Sequence, residues 1–330
     1  MVLLLRRYQK SQYVTSQLNE VFKMRAAVHA SDVDGIVCAA LILMKYPNSK
    51  LDFLTVGEAL KTEEEYDLVV DLPKTKNAKV NIDHHISNYQ RLLSEGRLSE
   101  DDLIDPTAPS AAHLLIKYLK LEDNPRAKEL VEMADIADTG GYSKETYILD
   151  RIIKCNSNEP DKLMKIAWAL IEHGKDFLND EFMRLEWERI KKGVELGKEY
   201  SRRIINEALN KGVEILIVDL VKGFPKVAIA DLQHDFLDRG GKIIIVINRM
   251  RDIDKFCPSL KRNGNLVRFS MRVAKNFDFN IRELAEKIGG GGHPKASGAA
   301  VNESEYGRAL LTLIEELSKV GIIGYYLFSA

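Results

Sequence analysis

Acidic and imidazole side chains follow three successive short apolar runs in the first half of the chain. These groups are His29, Asp32, Asp34, Asp71 and the tripeptide Asp83-His84-His85. Asp138 adds a further carboxylate where a predicted helix breaks at Gly140-Gly141. Carboxylate oxygen is the ligand that magnesium and manganese prefer, and imidazole shifts the preference towards manganese, iron or zinc. The residue types therefore predict a site for a pair of divalent ions, with manganese favoured.

Each of these residues also has an ordinary structural explanation. Asp32 or Asp34 could cap the helix that begins near Gly35. Asp71 could be an ordinary residue between a strand and a loop. His84 and His85 could lie in a surface loop, and Asp138 could be a carboxylate at a helix end. Their joint occurrence after predicted strands favours one site over several unrelated explanations.

The elements that must position these groups alternate between short β-rich runs and helical stretches. Strands are predicted at 25–29, 51–56, 67–71 and 79–82, and helices at 1–24, 35–46, 110–121 and 125–137. This alternation predicts an α/β fold with a doubly wound, mostly parallel sheet. Because ligands bind at the carboxyl ends of strands in such sheets, the acidic and imidazole groups are expected to converge there.

A long helical stretch over 160–211 separates this part from a second, smaller α/β unit. We predict a metal-binding catalytic domain at 1–180, a connecting helix at 181–211 and a C-terminal substrate-binding domain at 212–330. In the last of these, strands are predicted at 214–218, 243–247, 266–273 and 296–301, and helices at 227–238, 280–288 and 303–319.

The C-terminal part contains four consecutive glycines, Gly289–Gly292, followed by His293. Glycines permit positive φ and close approach of the backbone to a ligand, and successive amides can bind an anion. His293 would then donate to a phosphate or ribose oxygen. The alternative is a helix cap extended into a loose turn, although one glycine is enough for a cap.

Cationic side chains outnumber acidic ones just before this loop: Arg249, Arg251, Lys255, Lys261, Arg262, Arg268, Arg272 and Lys275. The period of a strand places Arg268, Ser270 and Arg272 on one face. For Lys255, Lys261 and Arg262 a solvated polar face is the better explanation. Arg272 is predicted to bind phosphate, because the planar guanidinium matches phosphate oxygens.

Composition limits the classes of partner. With 48 basic and 49 acidic residues the formal net charge is -1, which argues against a protein that coats long nucleic acid through bulk charge. No apolar run reaches the roughly 20 residues that cross a bilayer, and the first residues do not have the pattern of a signal peptide. We therefore expect a cytoplasmic protein without a membrane partner.

Together these motifs resemble the DHH phosphoesterase superfamily, named for the motif that stands here as Asp83-His84-His85. The chain is similar over residues 25–301 to the two-domain branch with a GGGH-type DHH-associated C-terminal domain, and most similar to nanoRNase/pAp-phosphatase-like proteins. The resemblance implies two divalent cations, manganese preferred and magnesium or cobalt as substitutes. It implies as their ligands His29, Asp32, Asp34, Asp71, His84 and Asp138.

The same resemblance assigns catalytic and substrate-binding roles. Asp83 would orient a neighbouring ligand, His85 would contact the scissile phosphate, and Arg272 would stabilise its charge. Substrate binding is expected from Arg268, Ser270, Arg272, Gly290, Gly291, Gly292 and His293. Closure of the C-terminal domain across helix 181–211 would favour short substrates.

The expected activity is manganese-dependent phosphodiesterase or phosphatase action, by water activated between two metals, on short oligonucleotides, dinucleotides or pAp. The partners are then short single-stranded RNA or DNA, and a homodimer is left open. Three alternatives remain at this point: a RecJ-like single-stranded DNA exonuclease, a cyclic-dinucleotide phosphodiesterase, and a non-catalytic scaffold that keeps the DHH fold.

Overall fold

The computed structural model describes residues 24–251, 254–260 and 265–330. The helix predicted at 1–24 therefore lies outside the described residues except for its last position, as do Lys261 and Arg262. The chain forms two compact units, of which the first ends at Trp187 and the second spans Glu188–Ala330. None of the described helices is long and apolar enough to cross a membrane.

The first unit contains a five-stranded parallel sheet with the strand order β2-β1-β3-β4-β5. The strands are β1 (Arg25–His29), β2 (Lys50–Leu54), β3 (Glu65–Val70), β4 (Asn77–Asp83) and β5 (Leu103–Ile104). Because β2 and β3 lie on opposite sides of β1, the order reverses there and opens a crevice at the carboxyl ends of these strands. The predicted α/β fold with a mostly parallel sheet is confirmed.

Seven α-helices of the described chain accompany this sheet: α1 (Val33–Lys45), α2 (Val56–Ala59), α3 (Ile86–Glu95), α4 (Ala111–Tyr118), α5 (Pro125–Asp138), α6 (Lys144–Asn156) and α7 (Pro160–His173). A further helix, α8 (Glu181–Asn210), begins in the first unit and continues into the second. Residues Val33–Leu43 of α1 are all buried, as expected for a helix that is apolar on every side. The helical stretch predicted over 160–211 is interrupted, because Gly174 has a φ of 57° and begins a 3₁₀ turn, Gly174–Asn179.

The second unit contains a six-stranded mixed sheet with the strand order β11-β6-β7-β8-β10-β9. Its elements are β6 (Ile215–Lys222), α9 (Ile229–Asp238), β7 (Ile243–Asn248), β8 (Leu266–Val273), α10 (Ile281–Glu286), β9 (Gly291–His293), β10 (Ala296–Asn302), α11 (Tyr306–Leu317) and β11 (Ile323–Ser329). Strands β11, β6 and β7 are parallel, whereas β8, β10 and β9 join antiparallel. This is the smaller α/β unit that the sequence predicts.

Apolar side chains cover the two faces of this second sheet differently. Phe269 and Met271 of β8 are buried in one core together with Leu284 of α10 and Leu313 of α11. The opposite face is covered over β6 and β7, where α9 contributes Phe236 to a second core. Along β8, buried residues alternate with exposed or half-buried ones, so its polar side chains lie opposite the first core.

Candidate functional site

The turn from β1 to α1 places two of the predicted ligands against each other. Asp32 is the N-cap of α1, and its Oδ1 accepts a hydrogen bond of 3.0 Å from the Gly35 amide. The capping explanation is thus right for Asp32, yet its Oδ2 lies 2.6 Å from His29 Nδ1. A Cβ on Gly35 would lie 2.2 Å from the His29 carbonyl oxygen, so only glycine lets α1 begin this close to β1.

Asp34 is buried in the first turn of α1 and is held by the N-terminus of another helix. Its two oxygens accept hydrogen bonds from the amides of Ala111 (2.7 Å) and Ala112 (2.9 Å), the first residues of α4. Helix N-termini stabilise negative charge, which compensates in part for the burial of this carboxylate. Asp34 Oδ2 lies 3.8 Å from His84 Nε2.

Asp71 follows β3 directly and lies in the middle of the predicted ligands. Its φ of 55° is left-handed, a conformation that few non-glycine residues adopt. Asp71 Oδ2 is 3.4 Å from His29 Nδ1, and Oδ1 is 3.8 Å from both His84 Nε2 and His85 Nδ1. Asp71 therefore lies within reach of His29, which ends β1, and of His84 and His85, which follow β4.

Asp83, at the end of β4, is fully buried and hydrogen-bonded on both oxygens. Oδ1 accepts from the His84 amide and from the His85 ring at Nδ1, each at 2.8 Å. Oδ2 accepts from the Asn88 side chain at 2.7 Å. The bond to Asp83 raises the pKa of His85 above its ordinary value. Asp83 thereby fixes the orientation of His85, and Asn88, which sequence reasoning missed, fixes Asp83.

His84 and Asp138 complete the arrangement. His84 Nδ1 lies 3.3 Å from the Ala108 carbonyl oxygen, which favours the tautomer with the proton on Nδ1. The other ring nitrogen, Nε2, then has a lone pair and lies 3.2 Å from Asp138 Oδ2. Asp138 is the last residue of α5, so it is also the helix-end carboxylate of the alternative explanation. Its position at the helix end still brings it next to His84.

The described residues form three overlapping sets whose donor atoms lie within 4.8 Å of one another. These sets are His29 with Asp32 and Asp71; Asp34 with His84 and Asp138; and Asp71 with Asp83, His84 and His85. Four buried atoms in them have no hydrogen bond among the described residues: His29 Nδ1, both oxygens of Asp71, and His84 Nε2. Buried polar atoms are ordinarily paired, and bonds to divalent cations would satisfy these four. The donor set fits a pair of ions.

The carboxylates are crowded enough to disturb their protonation. Burial and the neighbouring Asp32 and Asp138 raise the pKa of Asp34 to about 8. Burial, Asp32 and Asp34 likewise raise the pKa of Asp71. Burial lowers the pKa of His29, but Asp32 and Asp71 outweigh it and raise this pKa to about 11. Such mutual repulsion is the electrostatic setting that bound cations relieve.

The second unit gathers its predicted residues on one sheet face. Arg272 of β8 pairs with Ala296 of β10, which in turn pairs with His293 of β9. One row further along, Ser270 pairs with Gly298 and Gly298 with Gly291. Partners in register point to the same face of the sheet. Arg272 and His293 therefore lie on either side of Ala296 on this face. Arg268 lies on this face and is exposed.

Gly291 and Gly292 belong to strand β9, whereas Gly289, with a φ of 78°, lies in the turn that follows α10. A Cβ on Gly290 would lie 2.2 Å from the Gly298 carbonyl oxygen, and Gly292 has a φ of 137°. Both positions need glycine to pair β9 with β10. At Gly291 an added Cβ would meet no described atom within 4 Å, so the backbone there is open to a ligand.

Comparison with known proteins finds one family match within the second unit and several solved structures with a similar fold. Residues 212–319 match the DHHA1 domain family. A search of curated proteins finds no significant match. Among solved structures, the pGpG-specific phosphodiesterase PggH of Vibrio cholerae has a TM-score of 0.60 at 20% identity, over 90% of this chain and 99% of that one.

RecJ structures are also similar. RecJ of Thermus thermophilus in complex with Mn²⁺ has a TM-score of 0.55 at 14% identity, over 92% of this chain and 54% of that one. A manganese-bound exonuclease RecJ has a TM-score of 0.56 at 13% identity and is covered over 93% of its chain. These likenesses confirm the predicted fold, in which a parallel-sheet unit is followed by a long helix and a smaller α/β unit.

Proposed function

We propose that this chain, which has the two-domain fold of the DHH phosphoesterase superfamily with a C-terminal DHHA1 domain, is a metal-dependent phosphodiesterase or phosphatase. Its substrates are short oligonucleotides, dinucleotides or pAp. The observation that carries the proposal is that three residues at or just after the ends of parallel strands, His29, Asp71 and His84, bring together four buried donor atoms that have no hydrogen bond among the described residues.

The proposed ligands of the two cations are the six residues named above: His29, Asp32, Asp34, Asp71, His84 and Asp138. Asp71 is proposed as the bridge, since it lies between His29 at the end of β1 and His84 just after β4. Two divalent ions would supply Lewis acidity to an attacking water and to the phosphoryl oxygens. The RecJ structures that hold Mn²⁺ or Mg²⁺ support such ions, and manganese remains our first choice.

His85 is proposed to contact the scissile phosphate. Its Nδ1 is engaged with Asp83, so we propose that Nε2 is the atom that contacts a phosphoryl oxygen. The raised pKa of His85 favours the imidazolium, which donates to an anion and stabilises charge that grows on it. Asp83 and Asn88 hold the His85 ring in place. A donor that is already positioned needs no reorganisation during the reaction.

The sheet face of the DHHA1 domain is proposed to bind the nucleotide. Arg272 and His293 would bind a phosphate, and the open backbone at Gly291 would let the substrate approach closely. PggH, a phosphodiesterase described as specific for pGpG, is matched over 99% of its length, and this supports a short substrate.

The proposal is tested by measuring initial rates with Mn²⁺ on pAp, on di- to decanucleotides of RNA and DNA, and on cyclic dinucleotides. We expect the highest kcat/KM on the shortest linear substrates, and a loss of at least about a thousandfold in Asp71→Asn, since a ligand of both ions is removed. Asp123→Asn, the same change at an exposed position, serves as the control. Equal rates in wild type and Asp71→Asn would contradict the proposal, and rates that rise with length would contradict the short substrate.

A further inference from the structure

A cavity of about 270 Å³ adjoins the proposed metal centre within the first unit. One side of its lining belongs to that centre, with His29, Asp71 and His85. A group bound in this cavity would therefore sit directly beside a phosphate held at His85. The cavity is a feature that neither the metal ligands nor the sheet face of the second unit explains.

The apolar part of the remaining lining comes largely from the short helix α2, while Asp83, Ser87, Asn88 and Arg91 form its polar part. Val56 begins α2, and Leu60 follows one turn later on the same side of that helix. Val56 is 46% exposed and Leu60 53% exposed, large values for such side chains, and Pro73 adds to the apolar lining. A capping box between Thr55 and Glu58 fixes the start of α2, so these side chains are held in position.

A polar edge completes the cavity. Arg91 of α3 lines it and is itself held by the Lys74 carbonyl oxygen (3.1 Å) and by Asn88 Oδ1 (3.2 Å). Ligand sites typically combine apolar walls with a few fixed polar groups. An apolar wall with a polar edge that includes one cationic side chain, next to a phosphate site, matches a flat heterocycle with polar atoms at its rim.

We propose that this cavity binds the nucleobase attached to the scissile phosphate, with Leu60 and Val56 packed against the face of the base and Arg91 at its edge. The inference rests on the proposed function for the presence of the phosphate. It goes further in assigning substrate selectivity to α2, which carries none of the predicted site residues. A nucleotide would then bind more tightly than the same sugar phosphate without a base.

The test measures calorimetric affinity for AMP and for ribose 5-phosphate in the presence of Mn²⁺. Wild type is expected to bind AMP about tenfold more tightly than ribose 5-phosphate, and Leu60→Ser or Val56→Ser should remove most of that preference while leaving ribose 5-phosphate affinity within twofold. Leu93→Ser is the matched control, because Leu93 is also 53% exposed but does not line the cavity.

The outcomes separate this inference from the hydrolase assignment. Equal affinity of wild type for the two ligands, or the same preference in Leu60→Ser as in Leu93→Ser, overturns the base pocket even where phosphodiester hydrolysis is observed. A preference for AMP that depends on Leu60, in a protein that hydrolyses no phosphodiester, supports the pocket and removes the hydrolase. Thermal unfolding of each variant confirms that it is folded.

Discussion

Asp34 and Asp71 are buried carboxylates with raised pKa values, and this gives the metal-free protein a distinctive pH dependence. Their folded-state pKa values lie above the ordinary 3.8, with Asp34 at about 8. A raised pKa contributes stability that is present below the unfolded value and is lost as pH rises through the folded value. The pKa of His29, raised to about 11, acts in the same direction above neutral pH.

We therefore predict that in EDTA the thermal unfolding midpoint falls as pH rises from about 4 to 8, and that Mn²⁺ raises it more at pH 8 than at pH 5. Asp71→Asn removes one of the repelling charges, and asparagine tolerates the left-handed backbone at this position. Without metal at pH 8 this variant should unfold at least about 2 °C above wild type. With Mn²⁺ the order should reverse.

Asp123→Asn again provides the control, since it removes an exposed carboxylate and should leave both midpoints unchanged. A wild-type midpoint that rises with pH in EDTA would contradict the electrostatic account. So would an Asp71→Asn variant that gains as much from Mn²⁺ as wild type does. The measurement is scanning calorimetry, with the metal content of each sample checked before the scan.

At the scale of single residues, the sequence predicts the acidic and imidazole groups of the site well. It does not predict the groups that form hydrogen bonds to them. The predicted groups end strands of one parallel sheet, and the topology of such sheets brings them together. Asn88 gives no signal of its own, because an asparagine in a helix is most often a surface residue. The amides that hold Asp34 belong to α4, 77 residues away, and only the fold reveals backbone donors.

Close packing of β1 against α1 is the element-level feature on which the site depends most. Gly35 has no space for a side chain, because a Cβ would lie 2.2 Å from the His29 carbonyl oxygen and 2.7 Å from the His29 Cβ. The backbone contact is rigid, so α1 would have to move. Asp32 and Asp34 lie in the first turn of that helix and would move with it.

Gly35→Ala should therefore cost about 1–3 kcal/mol of stability and weaken Mn²⁺ binding by tenfold or more. Gly57→Ala is the matched control, since Gly57 lies in α2 and an added Cβ there meets no described atom within 4 Å. That change should stabilise by about 0.5–1 kcal/mol and leave the Mn²⁺ affinity unchanged. Denaturant unfolding and calorimetric titration measure the two effects, and equal Mn²⁺ affinity in both variants would refute the argument.

Strands and helices with a strong hydrophobic pattern are predicted from the sequence. Elements that exist only because they pair with a neighbouring strand are not. The apolar runs of β1, β7 and β8 are recognised almost to the residue, because buried strands are apolar or alternate. Strand β9 is Gly291–His293, which has no intrinsic preference for a strand and exists only because it pairs with β10. The break at Gly174 is equally hidden, since a lone glycine is tolerated within a helical pattern.

At the scale of the whole molecule, we propose that the two compact units have different functions. The first holds every predicted metal ligand, and the second, with its DHHA1 match at 212–319, holds the predicted phosphate-binding face. If the division is real, a change on that face should alter substrate binding without altering the metal centre. This separation is what distinguishes a substrate-binding domain from a structural support.

Arg272→Gln tests it, because this change keeps much of the side chain and removes its charge. We expect KM for a dinucleotide to rise about tenfold or more, as for the loss of a charged hydrogen bond, while the calorimetric Kd for Mn²⁺ stays within twofold. Arg282→Gln is the control, since Arg282 lies on α10, which packs on the opposite face of the sheet, and is engaged with Glu286 at 2.7 Å. A loss of Mn²⁺ affinity in Arg272→Gln, or the same rise in KM in Arg282→Gln, would mean that the guanidinium supports the fold and does not bind the phosphate.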